Sequence, residues 1–348
     1  MPGRRDGDSL IAGLFPGYFA LVMATGIIAI AANQQDLRWV AKGLYVVAAA
    51  GYVVLIALTL IRLGKYPRRL FDDLSSHQKG FAFLTFIAGT NVLGSATALV
   101  HGWWGLATVL WWVGVVLWPP ILYTPLISVV IRSGKPDIAS GINGTWFLIT
   151  VSAESIAALG ALLLVRGGSE LLAFVCLAVF LLGLVTYLIV MTLVFLRWVF
   201  ATLEPTEADP PAWIAAGAVA ITVLAGSNLV EATEASGHLV RSAPTIEVLV
   251  VLSWATATFW FPLMIAIGVW RHLVRRVPLR YHPSYWAMVF PLGMYAASTS
   301  RMLEIIDLGV LSWLPGAALV LAGTTWVLAF AGMSVQAFRA LRRMATAR

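Results

Sequence analysis

The longest uncharged stretch of the chain constrains its fold most strongly. Residues 80–131, between Lys79 and Arg132, contain no Asp, Glu, Lys or Arg. A transmembrane helix needs about 20 apolar residues, and backbone polar groups in lipid must be paired within a helix or a closed barrel. The stretch is too long for one crossing, and His101-Gly102 near its middle is suited to a tight turn. It therefore predicts two successive membrane-spanning helices.

The composition extends this reading to the whole chain. Of its 348 residues, 60% are hydrophobic and only 11% are charged, and the charges are gathered in short islands between apolar runs. The 15 tryptophans and nine tyrosines suit the headgroup level of a bilayer, which favours amphipathic rings. A soluble helical core is the alternative, but repeated uncharged runs of this length are typical of an integral membrane protein.

Counting from one charged island to the next predicts ten spans. We therefore expect an all-α integral membrane protein with one polytopic membrane domain over residues 1–348. The predicted spans lie at about residues 9–35, 43–61, 80–100, 102–131, 138–165, 171–196, 210–230, 248–270, 281–300 and 308–338.

The distribution of basic residues predicts the orientation. If the N-terminus is cytoplasmic, most of the 23 Lys and Arg residues fall on the inner side, beginning with Arg4 and Arg5. The exceptions are Arg38, Lys42, Arg166, Arg241 and Arg301. This is a positive-inside bias, and it predicts a multi-pass protein of the cell (inner or plasma) membrane with both termini in the cytoplasm. The first span is long and contains Pro16-Gly17, so we read it as uncleaved rather than as a signal peptide.

A faint repeat links the odd-numbered spans, each of which has an aromatic residue near its start. These residues are Tyr18, Phe81, Trp146, Trp213 and Trp286. One helical turn later the aligned positions, predicted to line a pore, are Val22, Thr85, Thr150, Gly217 and Phe290. The repeat favours five tandem helical hairpins whose odd members form an inner ring around a central pore. Alternatively, the aromatic residues are ordinary interfacial anchors.

The usual marks of enzymes and energy-coupled pumps are absent from the sequence. There is no P-loop, no H-E-x-x-H motif, no Cys/His cluster and no Gly-rich dinucleotide fingerprint. The single cysteine, Cys176, can form no intramolecular disulfide. We therefore expect no enzymatic activity, no cofactor, no metal and no nucleic-acid partner.

Four segments of the sequence resemble the signature segments of a known family. They are "LFPGYFALVMATGIIAIA", "GTWFLITVSAESIAALG", "FWFPLMIAIGVWRH" and "YHPSYWAMVFPLGMYAAST". They are similar to the tellurite-resistance/dicarboxylate transporter family, which includes the bacterial tellurite-resistance anion channel, the slow anion channel of plant guard cells, the yeast malate permease and the fungal sulfite efflux pump. The resemblance implies five tandem hairpins with a pore through the inner ring, often assembled as a homotrimer with one pore per subunit.

The resemblance also implies a gate. In that family a phenylalanine on the ninth helix closes the pore at mid-membrane, and Phe290 matches its position. Pro291 follows directly, and a proline inside a membrane helix frees a carbonyl that is best tolerated where the backbone borders a cavity. The alternative is that Phe290 simply packs against a neighbouring helix.

The polar residues of the inner spans suit an anionic solute rather than a cation. They are Thr25, Thr85, Asn91, Ser95, Thr150, Ser152, Ser227, Asn228, Ser298 and Thr299. Hydroxyls and amides can donate hydrogen bonds to an anion, although small residues also simply let helices approach closely. We expect transport of C4-dicarboxylates such as malate, or of small inorganic anions and oxyanions such as sulfite or tellurite.

Two charged residues inside or at the end of predicted spans leave alternatives open. Glu154 is the one acidic residue well inside a span, where a charge costs roughly 2.5 to 3.5 kcal/mol. It either couples proton and anion movement in a carrier or is a neutral hydrogen-bonding residue between helices. We expect Arg301, near Glu304 and Asp307, to be ion-paired rather than selective. An intramembrane enzyme or receptor is a further alternative, but the sequence shows no convergent constellation for either.

Overall fold

A computed structural model describes residues 11–202, 204 and 210–346. These residues form helices and the turns that join them, with no strand among them. Part of the predicted orientation depends on Arg4, Arg5 and Arg348, which lie outside the described residues together with the first two residues of the predicted span 9–35. The side chain of Arg343 is also not described.

Ten long helices follow one another in the described part of the chain. They are α1 (Ala20–Gln34), α2 (Arg38–Lys65), α3 (Leu84–His101), α4 (Trp104–Ile131), α5 (Leu148–Leu164), α6 (Glu170–Phe200), α7 (Ile214–Ser236), α8 (Ala243–Val269), α9 (Trp286–Ile305) and α10 (Leu314–Thr346). Among the described residues, nine of them, taken with their flanking turns, are long and apolar enough to cross a membrane. The exception is α9, whose hydropathy is lowered by Pro291, Arg301 and three consecutive hydroxyl residues. The all-α membrane fold is thereby confirmed.

The helices form two concentric layers. In the most apolar windows of α1, α3, α5 and α7, between 78% and 94% of the residues are buried, whereas the even helices bury only 11% to 33%. Most of α9 is also buried. Each odd helix contacts the next odd helix, and α9 returns to α1, so the five close into an inner ring. Each even helix packs outside the ring against the odd helices on either side of it.

Tryptophan side chains of the outer layer donate hydrogen bonds to hydroxyls of the inner ring. The three bonds run from Trp118 to Ser152 (3.0 Å), from Trp254 to Thr299 (3.1 Å) and from Trp326 to Thr25 (2.9 Å). An indole N–H within a bilayer has no water to bond, so it needs such an acceptor. These three inner hydroxyls therefore tie the layers together and point toward the outer helices.

A buried ion pair anchors a short amphipathic helix, Pro67–Leu74, beneath α2. Arg62 of α2 is only 2% exposed, and it donates to the Leu14 carbonyl oxygen (2.9 Å) and to the Asp73 carboxylate (2.5 Å). Lys79 also pairs with Asp73 at 2.9 Å. Partial burial opposes charging of Asp73, but hydrogen bonds and charges from Arg62 and Lys79 outweigh it and hold its pKa below the usual value.

Candidate functional site

Five 3₁₀ turns form a second closed ring, which lies at the end where the inner helices begin. One turn precedes each odd helix, and the five turns are Pro16–Phe19, Gly80–Phe83, Gly144–Phe147, Pro210–Trp213 and Pro283–Tyr285. Each turn contacts the next, and the last contacts the first. The approach is very close at Gly144, where a Cβ atom would lie 2.0 Å from the carbonyl oxygen of Pro211. A side chain at this position would therefore force the turns apart.

Inside this ring lies a cavity of about 30 Å³ that is lined by all five inner helices or their turns. On α1 and α9 the lining residues recur every third position, as Gly17, Ala20 and Met23, and as Ser284, Ala287 and Phe290. Phe290 is 1% exposed and lies six residues beyond Ser284, roughly 9 Å deeper along the helix axis. An aromatic ring thus forms the deep end of a cavity at the centre of the ring.

The other predicted site residues lie in three different surroundings. Thr85 lines the same cavity as Phe290. Gly217 faces α9, since a Cβ atom there would lie 2.7 Å from the Pro291 ring. Val22 and Thr150 do not line the cavity: Val22 is buried toward α2, and the Thr150 hydroxyl bonds Thr186 of α6 at 3.1 Å. The five aligned positions therefore do not all face the cavity.

The inner ring is closed beyond Phe290. Every residue is buried through the consecutive stretches 22–32, 87–98, 150–162, 214–230 and 289–299 of the five odd helices. These stretches are largely apolar, with small residues where the helices approach. The structure therefore holds two separate openings, one at each end of the ring.

The opening beside the turns, which we call the N-terminal vestibule, carries positive charge. It has a volume of about 450 Å³, and its polar lining includes Lys79, Arg197, Asn143 and His282. No acidic residue is among the described residues that line it. All five odd helices begin here, so the positive ends of their dipoles point toward this vestibule. Both features attract anions.

The opening at the other end, the C-terminal vestibule, has a volume of about 330 Å³ and carries charges of both signs. Arg301 bridges Glu231 of α7 and Glu304 of α9, and its Nε lies 3.4 Å from the Asn228 side-chain oxygen. The prediction that Arg301 is ion-paired is confirmed, and its partners are Glu304 and Glu231. Arg166 also lines this vestibule.

Glu154 lies outside the cavity and both vestibules. Thr222 of α7 donates a hydrogen bond of 2.9 Å to its carboxyl group. A Cβ atom at Gly183 of α6 would lie 2.3 Å from the same oxygen, so the glycine leaves space for the carboxyl. The side chain is fully buried where α5, α6 and α7 meet, on the side of α5 that faces the outer layer.

Sequence reasoning missed most of the residues that line the cavity, and their signal was weak. Small or apolar residues line it beside Phe290, including Ala20, Leu148, Ile214 and Ala287. A usable signal was present in the Pro or Gly that opens each segment before its aromatic residue, because this pair marks the 3₁₀ turn from which the lining positions can be counted.

Comparison with known proteins finds similarity along nearly the whole chain. The profile described as voltage-dependent anion channel matches residues 14–334. An uncharacterized transporter of Methanocaldococcus jannaschii is 22% identical over 315 residues, covering 88% of this chain and 90% of that protein. A sulfite efflux pump of Arthroderma otae is 22% identical over 94% of this chain and 92% of its own length.

A shorter match has higher identity. An uncharacterized membrane protein of Mycobacterium tuberculosis is 42% identical over 116 residues, which is 33% of this chain. The match spans 58% of the length of that relative. Together with the family profile, these matches confirm the resemblance read from the four sequence segments.

Proposed function

The chain belongs to the voltage-dependent anion channel family, and from this premise we propose that its inner ring is a pore for anions, closed at Phe290. One observation carries the proposal. Residues of all five inner helices or their turns converge on a single cavity, and Phe290 forms its deep end. The aromatic side chain of Phe290 blocks the cavity without carrying a charge. It would form a hydrophobic constriction that anions cross only when it widens.

Anion preference would arise at the N-terminal vestibule. Lys79 and Arg197 line it, and five helix dipoles present their positive ends to it. We propose that this vestibule faces the cytoplasm, as the positive-inside bias predicts, so that both termini are cytoplasmic and intracellular anions are concentrated at the entrance. The plasma-membrane location and the homotrimer stay predictions.

Pro291 and Gly217 would let α9 move. The proline ring packs against the glycine at a place where any side chain would collide with it. A proline removes one hydrogen bond within the helix, so the helix is easier to bend at this point. We propose that bending of α9 here carries the ring of Phe290 out of the pore.

The closed cavity favours a small solute. Its volume of about 30 Å³ leaves room for no more than a few water molecules. We propose that small inorganic anions or oxyanions such as sulfite pass more readily than malate and other C4-dicarboxylates or tellurite. Reconstitution in liposomes with competing anions tests this order. Equal uptake of all anions and cations would contradict the proposed pore.

Proton-coupled transport through Glu154 is the alternative, and the position of the residue argues against it. Its carboxyl group bonds Thr222 and faces α6 at Gly183, away from the cavity. We expect Glu154→Gln to keep the hydrogen bond from Thr222 and to leave the pH dependence of anion flux unchanged. Flux into liposomes measured across a pH series checks this. A flattened pH profile with normal folding would restore the coupling role.

Arg301 should set the charge of the C-terminal vestibule. Arg301→Gln leaves Glu231 and Glu304 without their cation, so the vestibule becomes negative and repels anions. We expect anion flux to fall roughly threefold at low salt and to recover at high salt, because mobile ions screen the carboxylates. Arg241→Gln, an exposed charge that does not line the vestibule, is the matched control. Equal losses in the two variants would contradict the effect.

A further inference from the structure

An apolar groove lies on the outer side of the inner ring of helices and faces the membrane. It has a volume of about 270 Å³ and runs between α2, α4 and the short helix Pro67–Leu74. Its walls include Phe19, Leu60, Leu63, Leu74 and Ile121. Leu60 is 60% exposed on the lipid-facing side of α2, so the groove is open toward the membrane. A cavity with apolar walls stays dry and accepts hydrocarbon rather than water.

Among the described residues that line this groove, one side chain, Arg62, is charged. Arg62 is 2% exposed, and two of its nitrogens are used by Leu14 and Asp73. Its third nitrogen, Nε, is buried without a hydrogen-bond partner among the described residues. A buried cationic N–H that lacks an acceptor is costly, and this marks a place where an acceptor from a ligand would be stabilising.

The first turn of the short helix adds two basic residues, while its second turn carries Asp72 and Asp73, of which Asp73 is paired with Arg62 and Lys79. Leu70 and Leu74 are buried beneath this helix, whereas Arg68 and Arg69 are exposed on it. A helix with one apolar face and basic residues on the other is typical of segments that lie in the membrane interface and attract anionic headgroups. Hydrocarbon walls and basic groups therefore adjoin at one membrane-facing site.

We propose that this groove binds an anionic phospholipid, with one acyl chain between α2 and α4 and the phosphate near Arg62, Arg68 and Arg69. A phospholipid supplies both the hydrocarbon and the acceptor oxygens that the site lacks. The site belongs to the membrane leaflet on the side of the N-terminal vestibule. It is independent of the solute that crosses the pore.

Bound lipid at this groove would also touch the pore mouth. Phe15 lines the groove, the cavity beneath Phe290 and the N-terminal vestibule. One aromatic ring therefore separates the lipid from the permeation path.

Native mass spectrometry of the full chain in detergent tests the proposal by titration with 1-palmitoyl-2-oleoyl phosphatidylglycerol or the matching phosphatidylcholine. We expect one tightly bound phosphatidylglycerol per chain and roughly tenfold weaker binding of phosphatidylcholine. Leu60→Trp fills the groove and should abolish this adduct. Val54→Trp, at a 56% exposed position on another face of α2, should keep it. Equal adducts in the two variants would overturn the groove as the site.

The headgroup contact has its own test. The double variant Arg68→Gln and Arg69→Gln should bring phosphatidylglycerol binding down to the level of phosphatidylcholine, a loss of roughly tenfold. The matched control neutralises Arg275 and Arg276, two exposed basic residues on another loop. Unchanged preference in the first variant, or equal binding of both lipids by the wild type, would overturn the proposal. Because the readout is lipid mass, it does not depend on anion transport.

Discussion

Phe290→Ala should raise anion flux through reconstituted protein by roughly tenfold or more, since a barrier lowered by about 1.4 kcal/mol has that effect. The ring of Phe290 forms the deep end of the cavity that all five inner helices share. Removing the ring leaves small and apolar residues that obstruct less. The preference for anions should persist, because the charges of the N-terminal vestibule are unchanged. Flux assays in liposomes with an anion gradient measure both quantities.

Phe180→Ala is the matched control for this variant. Phe180 is a fully buried ring on α6 that packs against Gly226 of α7, outside the inner ring. Loss of a buried Phe side chain costs about 3 to 5 kcal/mol of stability in either variant. Only Phe290→Ala should therefore increase flux. Lower flux in a normally folded Phe290→Ala protein, or equal gains in both variants, would count against a gate at this position.

Asp73→Asn should destabilise the protein by about 3 kcal/mol, the low end of the range for breaking a buried ion pair. The variant removes the carboxylate that neutralises Arg62, a cation held at 2% exposure. It also releases Lys79 from the short helix. Thermal or chemical unfolding in detergent measures the change. The lower end applies because Asp73 is itself partly exposed to solvent.

The neighbouring residue provides the control. Asp72→Asn removes an exposed carboxylate from the same helix and should change stability by less than about 0.5 kcal/mol. The pH dependence has a definite sign, since the pKa of Asp73 is lowered in the folded protein. Its contribution is present above the pKa of an unfolded aspartate and is lost as the pH falls through the lowered value. Equal stability of Asp73→Asn and Asp72→Asn would contradict the role of the Arg62–Asp73 ion pair in anchoring the short helix.

Much of the architecture could be predicted because lipid imposes simple rules. A charge inside a span is costly, so charged islands mark where helices end. This reasoning predicted ten helices in hairpins, and the aromatic repeat predicted that the odd ones form the inner ring. Even α9 was found from its flanking charges, although its hydropathy alone falls below that of the other nine described helices.

The register around the pore could not be predicted in the same way. Each odd helix is preceded by a 3₁₀ turn, and the conspicuous aromatic residue does not occupy the same place in every turn. Trp213 ends its turn, whereas Phe81 is the second residue of its own. Alignment on these aromatic residues therefore selected Val22, whereas its neighbour Met23 lines the cavity. A shift of one residue rotates a helical side chain by about 100°.

The roles of the polar residues also depended on contacts that a single sequence does not show. Thr25, Ser152 and Thr299 accept hydrogen bonds from outer tryptophans. Ser95 and Asn228 line the C-terminal vestibule, and Thr85 lines the cavity beneath Phe290. All are small polar residues of inner helices. Only the neighbouring helix shows whether such a residue bonds the outer layer or lines the cavity or a vestibule.

Charged thiol modification of the cavity tests the path of the anion most directly. Ala287 lines the cavity beneath Phe290, so Ala287→Cys combined with Phe290→Ala places a thiol in the proposed path. Wild-type protein is the control, since its Cys176 is buried. A sulfonate-bearing methanethiosulfonate should modify the new thiol, as seen by mass, and stop anion flux. Complete modification with undiminished flux, or no modification at all, would show that anions do not pass through the five-helix ring.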